Sequence, residues 1–174
     1  VTAIDNLAEI LRYSLDTDHY LISIQEEIEM AKKYVEIKNL RNDNSVEMTW
    51  NVDQKILHNK TLKMILQPVL ENAFKYGVLK NISDKPFISV TVSANNNVTT
   101  FSVENNGSVL TDAELKKVIN TMINDDITSK HIGLHNLYHR IKLIFGDAYG
   151  CDISVNGDIT TVTISVPTIT PNAF

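Results

Sequence analysis

Hydrophobic positions change period several times along the chain, and each change marks an element. Ile4, Leu7, Leu11 and Leu15 recur in steps of three and four, which predicts a helix over 4–15 with one apolar stripe. After the polar break "DTDH" (16–19), Ser23 precedes Glu26 by three residues, the spacing of a capping box. Ile24, Ile28, Ala31 and Val35 carry that second helix to about Leu40, and "RNDNS" closes it. The period then drops to two: Val46, Met48, Trp50 and Val52 alternate as in a half-buried strand. Leu62, Ile65 and Leu66 return to helical spacing. Pro68 is favoured as the first residue of a new helix, and Gly77 offers a left-handed stop for it.

Two strands are expected next, one through Ile88, Val90 and Val92 and one over 98–104, joined by "NNN" (95–97). Thr111 and Glu114 form a second capping box before a helix carrying Leu115, Val118, Ile119 and Met122. The polar stretch "NDDITSK" (124–130) follows. A last helix starts near Gly133, turns Leu134, Leu137, Ile141 and Ile144 inward, and ends at Gly146. Strands through Cys151, Ile153 and Val155 and through Val162, Ile164 and Val166 flank "NGD" (156–158), a hairpin signal. Paired strands with helices between the pairs predict an α+β fold, with helices on one face of a mixed or antiparallel sheet. Residues 1–40 read as a helical lead-in, and residues 41–174 as the domain proper. Trp50, Phe74, Phe87, Phe101 and Phe145 read as core.

Composition narrows the function classes. With 174 residues, 43% of them hydrophobic, the chain can bury a sizeable core, and it suits a single domain with an appendage. A net charge of −5 and a pI near 5.5 oppose a nucleic-acid partner. The single cysteine, Cys151, leaves no internal disulfide and fits a reducing compartment. No apolar run approaches the roughly 20 residues needed to cross a bilayer, and the start lacks a signal-peptide layout. Direct membrane contact is not expected. Both ends are abrupt, as in a piece of a longer protein.

The stretch "LQPVLENAFKYGV" (66–78) sets an acid, an amide, a lysine and a phenol into an otherwise apolar helix. Asn72 and Lys75 lie three apart and Asn72 and Tyr76 four apart, so all three can share a face. An amide oxygen can complete a magnesium shell made mostly of waters and phosphate oxygens, and a lysine and a phenol can contact phosphates. The other reading is an ordinary amphipathic helix with a solvated face.

The order of motifs separates the two readings. "LQPVLENAFKYG" is followed by "VENNG" (103–107) at a strand end, then a helix, a polar loop, "HIGLHNLYHRIKLIFG" (131–146) and "NGDITTVTISVP" (156–167). In this arrangement the chain resembles the ATP-binding catalytic domain of sensor histidine kinases, within the GHKL (Bergerat) ATPases. It is most similar to their LytS/YesM-like branch, and the lead-in stretches "LAEILRYSL" and "EEIEMAKKYVEIKNLR" resemble that branch too. The resemblance implies a two-layer α/β sandwich holding ATP and Mg2+ between the helix layer and a mobile loop (124–132). It implies Asn72 as magnesium ligand, with Lys75 and Tyr76 on the phosphate side. Glu71 is typical of the branch, and a helix-surface and a base-like role are both open; Glu71 and Asn72 are the implied catalytic positions. Asn105 takes the place of the aspartate that anchors the adenine amine, followed by Gly107 as tight-turn glycine. Gly133 and Leu134 match a glycine box whose backbone N–H groups cradle phosphates, and Thr160 matches the threonine near the adenine. The implied whole protein is a membrane-anchored bacterial homodimer with this part in the cytoplasm. It would phosphorylate its own histidine and then an aspartate of a response regulator receiver domain.

Four positions depart from that pattern: Asn105 for aspartate, Val109 and Ile159 for glycines, and His131 where a glycine often begins the second box. An amide can still accept from the adenine amine and donate to a ring nitrogen. No motif like "NPHFLYN" surrounds His19, His58, His131, His135 or His139, so the acceptor histidine is expected upstream of Val1, and no self-labelling of this chain is expected. Three rivals remain. The four-residue spacing of His131, His135 and His139 offers a zinc site, but without an HExxH motif or a cysteine pair. The departures also suit a non-catalytic interaction module of the same fold, and a chaperone or topoisomerase ATPase shares it.

Overall fold

Glu47–Val52 does form a strand, β2, but its hydrogen-bonded neighbour, Phe87–Asn95 (β4), lies far along the chain and runs parallel to it. In the computed structural model, residues 3–15, 20–40, 46–78, 85–107, 110–124 and 132–172 are described. Two helices come first, Ala3–Leu15 (α1) and Ile24–Leu40 (α2), separated by the short strand Leu21–Ser23 (β1). After β2 and a 3₁₀ turn at Gln54–Ile56 comes Lys60–Leu62 (β3), and then the helix Gln67–Asn72 (α3). The hairpin of β4 and Val98–Asn106 (β5) precedes the helices Asp112–Ile123 (α4) and Ile132–Phe145 (α5). Gly150–Asn156 (β6) and Ile159–Pro167 (β7) end it.

Five strands form one mixed sheet in the order β2-β4-β5-β7-β6, antiparallel except for the β2–β4 pair. One face is covered by helices. Along β4, Ile88, Val90 and Val92 are buried while Thr91 and Ser93 are exposed, and along β6 Cys151 and Ile153 are buried while Asp152 and Ser154 are exposed. The expected α+β two-layer architecture is therefore present. Its core joins Phe74 from the helix layer to Phe101 and Ile164 from the sheet. Full burial of a residue such as Phe101 contributes roughly 1.5–3 kcal/mol. Ile24, Ile28, Ala31 and Val35 of α2 belong to the same cluster.

Local signals place most boundaries. Ser23 and Glu26 bond reciprocally at the start of α2, with Glu26 N donating to Ser23 Oγ at 3.2 Å and Ser23 N to Glu26 Oε2 at 2.8 Å. Thr111 and Glu114 do the same before α4. Asn96 and Asn97 take left-handed φ values of 50° and 63° in the β4–β5 turn, and Gly157 (63°) does so in the β6–β7 turn. Gly146, at φ 82°, ends α5, its N–H donating to Lys142 O.

Several expectations fail. Leu62, Ile65 and Leu66 are not helical: Leu62 closes β3, which pairs with β1, and Met64 sits at φ 58°, which breaks any helix. All three are nonetheless buried, so helical spacing arose from a strand end followed by a tight turn. Ile144 stays 40% exposed, because α5 turns only Leu134, Leu137 and Ile141 into the core. The helix expected over 4–15 is present as α1, and its apolar stripe faces outward, with Leu7 and Leu11 half-exposed and Leu15 largely exposed, while Asn6 and Ile10 are buried. Trp50, Phe87 and Phe145 are partly buried rather than central. Val109, His131, His19 and most of the 124–132 loop lie outside the described residues.

Cys151 is buried on β6, and burial, then the neighbouring Asp152, push its thiol up to about 12. A pKa raised by folding contributes stability that is complete below the unfolded thiol's value, about 8.5, and is lost as pH climbs through the folded one. At pH 8 a thiol reagent should therefore modify the native chain at least about tenfold more slowly than the urea-unfolded chain.

Candidate functional site

Helix α3 carries Pro68 in its first turn, where the missing N–H costs nothing. After Asn72 the hydrogen bonding widens, and Ala73–Gly77 form a π-helical turn. Such turns occur mostly as single insertions, frequently at functional sites. Polarity follows the surface in blocks: Glu71 and Asn72 are exposed and half-buried, Ala73 and Phe74 buried, Lys75 and Tyr76 exposed and half-buried, Gly77 and Val78 buried. The four polar groups thus line one side of the segment. The Lys75 ammonium lies 5.0 Å over the ring of Tyr76. On α2, Tyr34 has a buried hydroxyl with no protein partner among the described residues. Burial, and secondarily the charge of Glu71, raise its pKa.

The far end of this segment meets the sheet. Asn105, 3% exposed near the end of β5, stands opposite Thr160 of β7 in the antiparallel register. Both share the helix-facing side of the sheet, Asn105 with Phe101 and Val103, Thr160 with Val162 and Ile164. A methyl group on Gly77 would overlap Asn105 Nδ2 and lie 2.8 Å from its Cγ, so the helix backbone rests directly on that amide. Gly77 has no left-handed φ, and its cap residue Val78 keeps helical angles. The helical segment ends at Gly77 as expected, but through a close approach to the sheet and not through a left-handed glycine.

The two asparagines of "VENNG" do different work. Asn106 is a brace: its Oδ1 accepts from Phe87 N and its Nδ2 donates to Lys85 O, both at 2.9 Å, pinning the start of β4. Asn105 Nδ2 donates to Asn106 O at 3.1 Å, and its Oδ1 would lie 3.4 Å from the same methyl group on Gly77. Gly107 follows at φ 115°, and its N–H donates to Asp158 O at 3.1 Å. Ile159 begins β7 opposite Asn106.

The start of α3 meets α5. A methyl on Gly133 would touch Pro68 Cβ at 3.4 Å. Leu134 is buried, so only its backbone N–H is available to a ligand. Further along α5, the rings of His135 and His139 lie 4.3 Å apart and His135 Nδ1 is 3.2 Å from Thr121 O. Among the described residues, no three His, Cys, Asp or Glu side chains converge as a metal site. Asn72, Lys75 and Tyr76 are therefore carried by one helical segment that packs on Asn105 at Gly77 and abuts Gly133 at its start, with Thr160 paired opposite Asn105. Sequence reasoning missed the role of Gly77 and also missed Glu27, whose side chain is 2% exposed. The second had a signal, because Glu27 occupies the core-facing series Ile24, Ile28, Ala31.

Known proteins share both the sequence and the fold. The family model described as histidine kinase matches residues 1–46. Sensor protein kinase HptS of Staphylococcus aureus is 30% identical over 148 residues, which is 83% of this chain. The chain spans 27% of the length of that curated relative. The nucleotide-free catalytic domain of histidine kinase ThkA superposes with a TM-score of 0.63 at 15% identity, covering 85% of this chain and 95% of that one. Acinetobacter baumannii histidine kinase AdeS gives 0.60 at 13% identity, over 95% of this chain and 75% of its own. Full-length ShkA in complex with AMPPNP gives 0.61 at 16%, over 97% and 35%. Sheet order and helix layer are thus those of a histidine kinase catalytic domain. The chain is thus similar to a sensor kinase along most of its length, and its first 46 residues match the histidine kinase family model.

Gly77→Ala should force Asn105 aside and lower stability by about 1–3 kcal/mol, as overpacking of a filled site does. Chemical denaturation measures it, and an unchanged midpoint would show that the amide moves freely.

Proposed function

We propose that this chain is the ATP-binding part of a sensor histidine kinase of the LytS/YesM-like branch. The observation that carries the proposal is the seating of Gly77 on Asn105, which sets an amide that could read adenine beside the helix that bears Asn72, Lys75 and Tyr76. One rigid segment then spans both ends of a nucleotide. Asn105 and Thr160 would hold the adenine, Asn105 accepting from its amine, with Gly107 leaving the strand end free to turn. Lys75, Tyr76 and the backbone N–H groups at Gly133 and Leu134 would steady the phosphates. The donor set fits magnesium held mainly by water and phosphate oxygens, since Asn72 offers a neutral oxygen on the polar side of α3.

Bound Mg-ATP would supply the transferable γ-phosphoryl group. The chain's own contribution is positioning and charge stabilisation, not a covalent nucleophile. Glu71, on the polar side of α3 beside Asn72, would orient the incoming imidazole or take its proton if it is more than a helix-surface residue. The acceptor histidine belongs to the whole protein, as does the later transfer to a response regulator aspartate. That protein would act as a homodimer on the cytoplasmic side of a membrane. The exposed Leu7, Leu11 and Leu15 of α1 support a helical partner there. No described helix is long and apolar enough to cross a membrane.

Calorimetric titration with a non-hydrolysable ATP analogue, with and without magnesium, tests the reading. Magnesium-dependent binding should be lost in Asn72→Ala and tightened in Asn105→Asp. No binding by the native chain would leave the interaction-module reading in its place.

A further inference from the structure

The carboxylate of Glu27 is buried on α2, yet it accepts hydrogen bonds from three other positions of the chain. Met64 N donates to Oε2 at 2.8 Å and Leu66 N to Oε1 at 2.9 Å, so both oxygens grip the turn that enters α3. Leu66 is the N-cap residue of α3 and supplies no side-chain cap. Its carbonyl accepts the first bonds of the helix, from Val69 N and Leu70 N at 3.1 and 2.9 Å. The left-handed Met64 is held at its other end too, because Arg140 Nη2 of α5 donates to Met64 O at 3.1 Å. A strained, non-glycine residue persists only where its surroundings fix it. Here charged side chains from two helices do so.

The third donor comes from the lead-in. Tyr13 Oη of α1 donates to Glu27 Oε2 at 2.6 Å, while Lys63 lies 4.6 Å over the Tyr13 ring. Further along the α1–α2 contact the pairs are polar too: Asn6 Nδ2 donates to Glu36 Oε2 at 2.9 Å, and Lys33 pairs with Glu9. The partly exposed Lys33–Glu9 ion pair holds weakly, in contrast to the buried bonds of Glu27 to the turn. The opposite face of α1, with Leu7, Leu11 and Leu15, stays exposed.

We propose that Glu27 is a positioning residue for the site-bearing helix α3, and that Tyr13 makes its hold on the Met64–Leu66 turn depend on where α1 lies. With α1 docked, the phenol satisfies a buried oxygen and the carboxylate stays fixed on the turn. When α1 withdraws or rotates, that oxygen loses its α1 donor. The carboxylate then turns toward water, the turn loosens, and Asn72, Lys75 and Tyr76 shift with α3. Upstream helix movement would thereby be read out as nucleotide affinity. The inference rests on the nucleotide reading of α3.

The test uses the full chain, as wild type, Tyr13→Phe, Glu27→Gln and the double variant. Amide exchange is read residue by residue by NMR, and affinity is measured for a non-hydrolysable ATP analogue with magnesium. Tyr13→Phe keeps the ring over Lys63 and removes only the hydroxyl. Expected are faster exchange at Met64 and Leu66, unchanged exchange in β5 and β7, and affinity weakened about threefold to tenfold, the scale of one ordinary hydrogen bond. The double variant should be no worse than Glu27→Gln, because Tyr13 acts through Glu27. Wild-type exchange at the turn in Tyr13→Phe overturns the proposal, as does a uniform rise across the sheet or an additive double variant. If Glu27→Gln does not fold, Tyr13→Phe alone decides. Should the wild type bind no nucleotide, the function proposed above fails, and exchange at the turn still settles whether Tyr13 holds it.

Discussion

The absence of one methyl group at Gly77 decides how the helical layer meets the sheet. With no Cβ there, the backbone at the end of the π turn comes down onto the Asn105 amide at the end of β5. A larger residue would lift that end of the helix and part the two groups of candidate ligands. The opposite end is constrained in the same manner, more loosely, where Gly133 abuts Pro68. Interiors packed to crystal density transmit such constraints instead of absorbing them, so the placement of the polar side of α3 follows from its two ends.

The π turn belongs to this arrangement. Along it Phe74 and Gly77 are buried, while Lys75 and Tyr76 remain on the side shared with Glu71 and Asn72.

Charge within the helical layer is handled by satisfaction more than by exclusion. Burial drives the Glu27 carboxyl above its usual range, and the donors Tyr13, Leu66 and Met64 oppose that shift. Tyr13, raised by its own burial and by Glu27, stays protonated and remains a donor. Arg140 is pushed down by burial, and the nearby Glu27 charge opposes the shift while its guanidinium bonds Met64 O. Breaking one member of such a set leaves a buried charge underserved, which costs far more than a surface pair.

Taken alone, the sequence located what depends on local chemistry. The capping boxes at Ser23 and Thr111, the left-handed turns at Asn96, Asn97 and Gly157, and the alternating strands are all set by residues a few positions apart. The polar positions of 71, 72, 75 and 76 were visible for the same reason, because helical spacing puts them on one side. What escaped it depends on partners distant in the chain. Parallel pairing of β2 with β4, the small β1–β3 sheet, the outward turn of the Leu7–Leu11–Leu15 stripe and the inward turn of Glu27 all follow from which surfaces meet after folding. Gly77 shows the division most plainly: its sequence context suggested a left-handed helix stop, but its use lies in an amide twenty-eight residues away. Spacing along a chain reports the face a residue occupies; only the packed structure determines what that face touches.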